Sequence, residues 1–291
     1  MRSLLFVPGD SARKLDKALD SGADALILDL EDSVAMAEKP AARAATAGFL
    51  ARARDLPARP RLYVRINALE TGLADDDLAA VMPASPDGIV LPKAAGGPDV
   101  AALGARLAVH EAEAGLADCA TRILPIATET AQAVFALGTL AGSSPRLAGV
   151  TWGAEDLSAD LGAETNRGED GGWSAPFRLA RNLALLAAAA AEVDAIDTIN
   201  AAFRDLDGLA RECREARRDG FVGKMAIHPA QVPVINAAFT PSEAELARAR
   251  AVVAAFAQAP GTGVVGVEGQ MLDRPHLRRA ERLLARVGGG V

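Results

Sequence analysis

Eight short apolar runs punctuate the first 230 residues, each bounded by polar or turn-forming positions. They fall at about 3–7, 25–30, 61–66, 88–92, 122–128, 147–153, 193–199 and 220–227. Runs of this length with apolar residues on both faces read as buried parallel strands. Helical spacing fills the gaps. Residues 11–21 place Leu15, Ala18 and Leu19 on one face and stop at Gly22. Residues 39–54 open with Pro40 in the first turn. Residues 98–116, 130–141, 174–191 and 201–219 are rich in Ala and Leu, with charges on one side. This alternation predicts an α/β chain folded as a (β/α)8 TIM barrel. An open doubly wound sheet is the alternative. The fifth and sixth strands are tightly spaced.

Past the eighth strand the pattern changes. Thr240-Pro-Ser-Glu243 reads as a capping box that opens a helix to about Gln258. Pro260-Gly-Thr-Gly263 breaks the chain. An apolar segment, Val264 to Val267, leads through Glu268-Gly-Gln-Met-Leu-Asp273 to a last helix over about 274–287. The expected division is a catalytic barrel over 1–232 and a helical extension over 233–291. That extension exceeds what a barrel needs, and suits a lid or an arm reaching a neighbouring subunit. Gly261-Thr-Gly263-Val-Val-Gly266 matches a dinucleotide-binding spacing, but it follows a helix instead of opening one.

Composition narrows the function classes. The 291 residues are half apolar, enough for one barrel plus an extension, and only 4% aromatic, so the core is aliphatic. The net charge of −7 favours neither nucleic acid nor an anionic membrane. Cys119 and Cys213 stand far apart, which suits a reducing cytoplasm without disulfides. With only His110, His228 and His276, no zinc cluster is expected. The N-terminal apolar run is too short for a signal peptide, and no stretch is long enough to span a membrane.

Barrel enzymes carry their chemistry at the C-terminal ends of strands. Here those ends hold Glu31 and Asp32, Arg65 and Asn67, Lys93, Glu129, Glu155 and Asp156, and Ile227-His228-Pro229. Glu129 and Asp156 close successive strands and would stand side by side on one rim. Two hard oxygen ligands with water completing the shell suit Mg²⁺. Each acid also has a plainer reading, at the start of the helix that follows. Arg65 could pair with Glu31 or Asp32, or meet a substrate carboxylate or a developing enolate oxygen. Lys93 reads as an ion-pair partner, with a Schiff-base nucleophile as the alternative. His228 reads as structural, and Asp273 fits a helix N-cap.

Several segments resemble the citrate lyase beta-subunit family, which stands with the malyl-CoA and citramalyl-CoA lyases in the HpcH/HpaI aldolase superfamily. They are Leu5-Phe-Val-Pro-Gly9, Leu28-Asp-Leu-Glu-Asp-Ser-Val34, Val64-Arg-Ile-Asn67, Leu91-Pro-Lys93, Gly153-Ala-Glu-Asp156 and Gly223-Lys-Met-Ala-Ile-His-Pro229. The resemblance covers nearly the whole chain in order. It implies a (β/α)8 barrel forming a trimer or hexamer, with Mg²⁺ on Glu129 and Asp156. Arg65 would bind substrate, and Glu31 and Asp32 would hold metal-bound water. Coenzyme A would lie near Phe6 and Lys17, with Arg13 and Lys14 nearby, and Glu155, Ile227 and His228 would line the same site. Met271-Leu-Asp273 matches a motif whose acid reaches the adjacent subunit's site, where burial would have to raise its pKa. Related hydroxy-oxo-diacid aldolases use a His near the first strand, and none stands there.

The implied activity is that of an oxo-acid lyase. A 3-hydroxyacyl-CoA such as malyl-CoA or citramalyl-CoA would be cleaved to an acyl-CoA and an oxo acid, or formed from them. The alternatives are a malyl-CoA thioesterase, a citrate lyase beta subunit acting on a carrier-protein thioester, and a non-catalytic partner protein that binds metal and coenzyme A.

Overall fold

The structure, a computed structural model, describes residues 1–288. Eight parallel strands run in chain order: β1 (Ser3–Pro8), β2 (Ala25–Asp29), β3 (Arg61–Arg65), β4 (Gly88–Leu91), β5 (Arg122–Pro125), β6 (Gly149–Thr151), β7 (Asp194–Asp197) and β8 (Gly223–Ala226). The spatial order is β5-β4-β3-β2-β1-β8-β7-β6. The β5–β6 seam is bridged only at Ile123↔Leu147 and Ile126↔Thr151, with Ala127 N–H donating to Thr151 O at 2.9 Å. The sheet is thus a nearly closed barrel.

Strand alternation builds two layers. Ala25 and Ile27 of β2 join Leu4, Tyr63, Val90, Leu124, Ile126, Ile196 and Met225 in the barrel interior. Leu26 and Leu28 belong to the larger layer between strands and helices. Gly88 leaves room for the Tyr63 ring, since a Cβ there would lie 2.2 Å from a ring carbon. The surrounding helices are α1 (Ala12–Ala18), α2 (Lys39–Ala53), α3 (Ala74–Val81), α4 (Gly97–Glu113), α5 (Ala131–Ala136), α6 (Glu155–Leu161), α7 (Ala175–Ala190), α8 (Leu206–Asp219) and α9 (Val232–Phe239). The sequence reading missed α3 and α9, each of eight residues, and offered α6 only as a possible helix start at Asp156.

A buried charge network lies among β6–β8, α7 and α8. Lys224 is fully buried, its Nζ 2.8 Å from Asp197 and 3.3 Å from Glu212. Trp152 Nε1–H donates to the other Asp197 oxygen at 2.8 Å, and Arg181 stands 3.4 Å from it. Although burial opposes ionisation, Lys224 and Arg181 hold the Asp197 carboxyl below its ordinary range. Burial pushes the neighbouring Cys213 thiol up to about 12, which leaves it unreactive. Both cysteines are free.

The chain forms two compact units, Met1–Phe239 and Thr240 onward. The second holds α10 (Glu243–Gln258), a hairpin of β9 (Val264–Val267) and β10 (Gln270–Asp273), and α11 (Arg274–Gly288). The capping box sits two residues later than the sequence suggested. Ser242 accepts from Glu245 N–H, and the Glu245 carboxylate accepts from Ser242 N–H. The hairpin turns on Glu268 and Gly269, both at positive φ, as a two-residue turn with matched twist requires. Val252, Phe256, Val265, Val267, Leu272 and Ala280 form this unit's own core. Among the described residues, no helix is long and apolar enough to cross a membrane.

Candidate active site

A cavity of about 270 Å³ is lined by residues at the C-terminal ends of β1, β2, β3, β5, β6, β7 and β8. Phe6, Arg65, Glu129, Glu155, Asp156 and Ile227, all singled out from sequence, line it. Asp29, Gly153, Thr198 and Met225 do so as well.

Arg65 ends β3 and turns inward. Its Nε and Nη2 donate to the two oxygens of Asp29, each at 2.7 Å. Nη1 lies 2.8 Å from Glu31 Oε2, outside hydrogen-bonding geometry. The guanidinium carbon sits 4.9 Å from the Phe6 ring centroid. Burial works against its charge, but Asp29, Glu31 and Glu129 outweigh it and raise the Arg65 pKa. Asp29 is the residue that sequence reasoning missed, having offered Glu31 or Asp32 as the partner. The available signal was strand parity: Asp29 continues the inward face of Ala25 and Ile27.

Glu129 follows β5 and is 3% exposed. One oxygen accepts the Lys93 backbone N–H at 2.5 Å. Thr130, not Glu129, caps α5, accepting from Ala133 N–H at 3.1 Å. Glu129 precedes that cap residue and does not itself cap the helix. Burial pushes its carboxyl up to about 8, with Asp156 and Glu31 adding to the rise against the opposing Lys93. Gly153 makes room for it, because a Cβ there would stand 2.6 Å from Glu129 Cγ. Thr128 Oγ1 locks the two strand ends together, accepting from Gly153 N–H at 3.1 Å.

Asp156 lies in the first turn of α6, so its helix-start reading and its place in the cavity hold together. Lys93 reaches across the rim. Its Nζ lies 2.6 Å from Glu31, 3.4 Å from Asp156 and 3.5 Å from Asp32. Burial opposes its charge, yet Glu31, Asp156 and Glu129 raise its pKa. A Schiff-base nucleophile needs the opposite shift, so Lys93 acts here as a cation.

Five carboxylates, Asp29, Glu31, Asp32, Glu129 and Asp156, thus meet two cations, Arg65 and Lys93. The acidic excess and the uncompensated Glu129 suit a divalent cation. No group of three or more His, Cys, Asp or Glu ligands forms among the described residues. Two carboxylates plus waters or substrate oxygens is a Mg²⁺-like donor set.

The remaining expected residues are placed as follows. Lys17, Arg13 and Lys14 are exposed on α1. Glu155 accepts from Asn166 Nδ2 at 3.0 Å. Ile227 N–H donates to Gln231 Oε1 at 2.8 Å. His228 Nδ1 accepts from Ala230 N–H at 3.1 Å, and its ring stacks on Phe203 at 5.0 Å. These contacts fit its structural reading. Asp273 is exposed within the second unit. Its Oδ1 lies 2.5 Å from His276 Nδ1, and that contact lowers its pKa. Among the described residues, nothing supplies the burial expected to raise it.

Comparison with known proteins adds the lineage. A family described as HpcH/HpaI aldolase/citrate lyase matches residues 2–229. A second, described as C-C bond lyase of the TIM-barrel fold, matches residues 178–288. The chain belongs to the HpcH/HpaI aldolase/citrate lyase family. It is 38% identical to a citrate lyase subunit beta-like protein of Mycobacterium tuberculosis, over 98% of this chain and 94% of that one. It is also 38% identical to a (3S)-malyl-CoA thioesterase of Cereibacter sphaeroides, with the same coverage. Among solved structures, the family's protein CitE from M. tuberculosis, in complex with magnesium, acetoacetate and coenzyme A, matches with a TM-score of 0.75 and 38% identity, over 99% of this chain and 98% of that one.

Proposed function

We propose that the chain is a Mg²⁺-dependent carbon–carbon lyase. It would cleave a 3-hydroxyacyl-CoA such as malyl-CoA or citramalyl-CoA to an acyl-CoA and an oxo acid, or condense the two. The observation that carries this reading is the convergence of Glu129, Asp156 and the Asp29-clamped Arg65 on one cavity. The magnesium, acetoacetate and coenzyme A bound by the CitE relative support it.

Glu129 and Asp156 would hold the Mg²⁺. When bound, the ion supplies a Lewis acid for a substrate carboxylate and hydroxyl. In cleavage the hydroxyl proton would pass to solvent water, its O–H electron pair would form the oxo group as the C2–C3 bond breaks, and that bond's pair would pass to the thioester as an enolate. Arg65 meets the charge that develops on the enolate oxygen. Its bonds to Asp29 use two of its five N–H donors, so donors remain for that oxygen. Phe6 packs against the guanidinium and keeps one side apolar. Asp273 of a neighbouring copy would deliver the proton to the enolate carbon. Docking there would bury it and reverse the low pKa it has beside His276. Lys17, with Arg13 and Lys14, would meet coenzyme A phosphates.

The (3S)-malyl-CoA thioesterase relatives support a second reading, in which water admitted after condensation attacks the thioester of the intact malyl-CoA and releases malate and free coenzyme A. The test is a panel of malyl-CoA, methylmalyl-CoA and citramalyl-CoA with Mg²⁺, following oxo-acid release and free thiol. EDTA and Glu129→Ala serve as controls. Oxo acid without thiol supports the lyase, and free thiol moves the assignment to thioesterase. No turnover on any free ester refutes both and directs the search to carrier-protein thioesters.

A further inference from the structure

Lys93 occupies a backbone conformation that side chains seldom adopt, with φ at 49°. That conformation turns two of its groups onto the same cluster. The backbone N–H meets Glu129, and the side chain crosses to Glu31, Asp32 and Asp156. Both carboxylates assigned to Mg²⁺ are therefore touched by one residue, through different atoms. The side-chain contacts are unequal. Glu31 is held at 2.6 Å, whereas Asp156 lies at 3.4 Å and Asp32 at 3.5 Å. Glu31 is the anchor, and Asp156 is the looser partner. Asp156 is also 35% exposed on its side chain, against 6% for Glu31.

We infer that the Lys93 ammonium is a tethered cation that competes with the divalent ion for Asp156. It gathers the carboxylates of the rim and yields Asp156 when the ion binds, remaining on Glu31. Lys93 is thus a positioning residue whose charge sets the affinity of the metal site. The inference rests on the reading of Glu129 and Asp156 as the metal ligands. A structural clamp and a competing cation predict opposite signs. Loss of a clamp scatters the carboxylates and weakens metal binding. Loss of a competitor leaves an uncompensated acidic cluster that binds a divalent ion more tightly.

The experiment titrates Mg²⁺ alone into the full chain by calorimetry, with every variant in the same buffer. The unaltered protein, Lys93→Met, Lys93→Gln, Lys93→Arg and Glu129→Gln are compared. Met and Gln keep the backbone N–H that Glu129 accepts, so only the ammonium is lost, and two variants guard against a folding failure of either. The expected result is Mg²⁺ binding about three- to tenfold tighter in Lys93→Met and Lys93→Gln, with Lys93→Arg close to the unaltered chain. Unchanged or weaker binding in folded Lys93→Met and Lys93→Gln overturns the inference and leaves the metal site standing. Absence of Mg²⁺ binding in the unaltered chain, or full binding in Glu129→Gln, overturns the metal site itself and the inference with it.

Discussion

The Glu129 carboxyl is buried beside Asp156 and Glu31, and its pKa stands at about 8 in place of the ordinary 4.5. At pH 7 about nine-tenths of it carries a proton. A metal ligand must give up that proton, so Mg²⁺ binding should release about 0.9 proton at pH 7 and about half a proton at pH 8. Equivalently, the apparent affinity should rise close to tenfold per pH unit below about pH 8 and level off above it. The assay is calorimetric titration of Mg²⁺ in two buffers of different ionisation enthalpy, whose slope counts protons. Glu129→Gln should lose both the proton release and most of the binding. The same group sets a stability trend. Its raised pKa makes the folded state prefer the proton, so protein stripped of divalent ions should lose stability as pH rises from the ordinary carboxyl range through about 8. Tight Mg²⁺ binding at pH 7 with no proton release would refute the reasoning, because Glu129 would then be ionised before the cation arrives.

Gly153→Ala would place a methyl 2.6 Å from Glu129 Cγ and push the carboxylate aside. Mg²⁺ affinity and kcat/KM should fall at least about tenfold while the chain stays folded, as calorimetry, turnover and a thermal melt would establish. Lys224→Met leaves Asp197 buried with its main counter-charge removed. Urea denaturation should show a loss of about 3–5 kcal/mol, with much of it recovered when Asp197→Leu is added. Asp273→Asn should lower turnover by about 100-fold or more with Mg²⁺ affinity unchanged, and full activity would remove Asp273 from the mechanism.

The barrel was legible because parallel strands covered on both faces leave nearly continuous apolar runs, and every one of the eight coincides with a strand. The helices that escaped, α3 and α9, are short, and α6 begins inside the rim. Glu155 and Asp156 were read as charges ending a strand, but they also form the first turn of a helix. One pattern there serves two elements, and periodicity alone cannot divide it. The hairpin of β9 and β10 escaped because its turn is Glu268-Gly269, not the Asn-Gly or Asp-Gly that signals such turns most strongly.

The site divides along a different line. Most rim residues were readable one strand at a time, as charges that stand just after an apolar run. Their pairings were not, because a pairing joins strands whose relative rotation the sequence does not state. Asp29 faces Arg65 only because β2 and β3 lie in parallel register with those two residues opposite each other. Lys93 meets four carboxylates only through a backbone conformation invisible in its side-chain type. A parity rule recovers the first, since Ala25, Ile27 and Asp29 alternate inward and Arg65 ends the neighbouring strand. Nothing of the kind recovers the second. Lys93, read from sequence as an ion-pair partner, therefore touches more of the rim than its residue type announces.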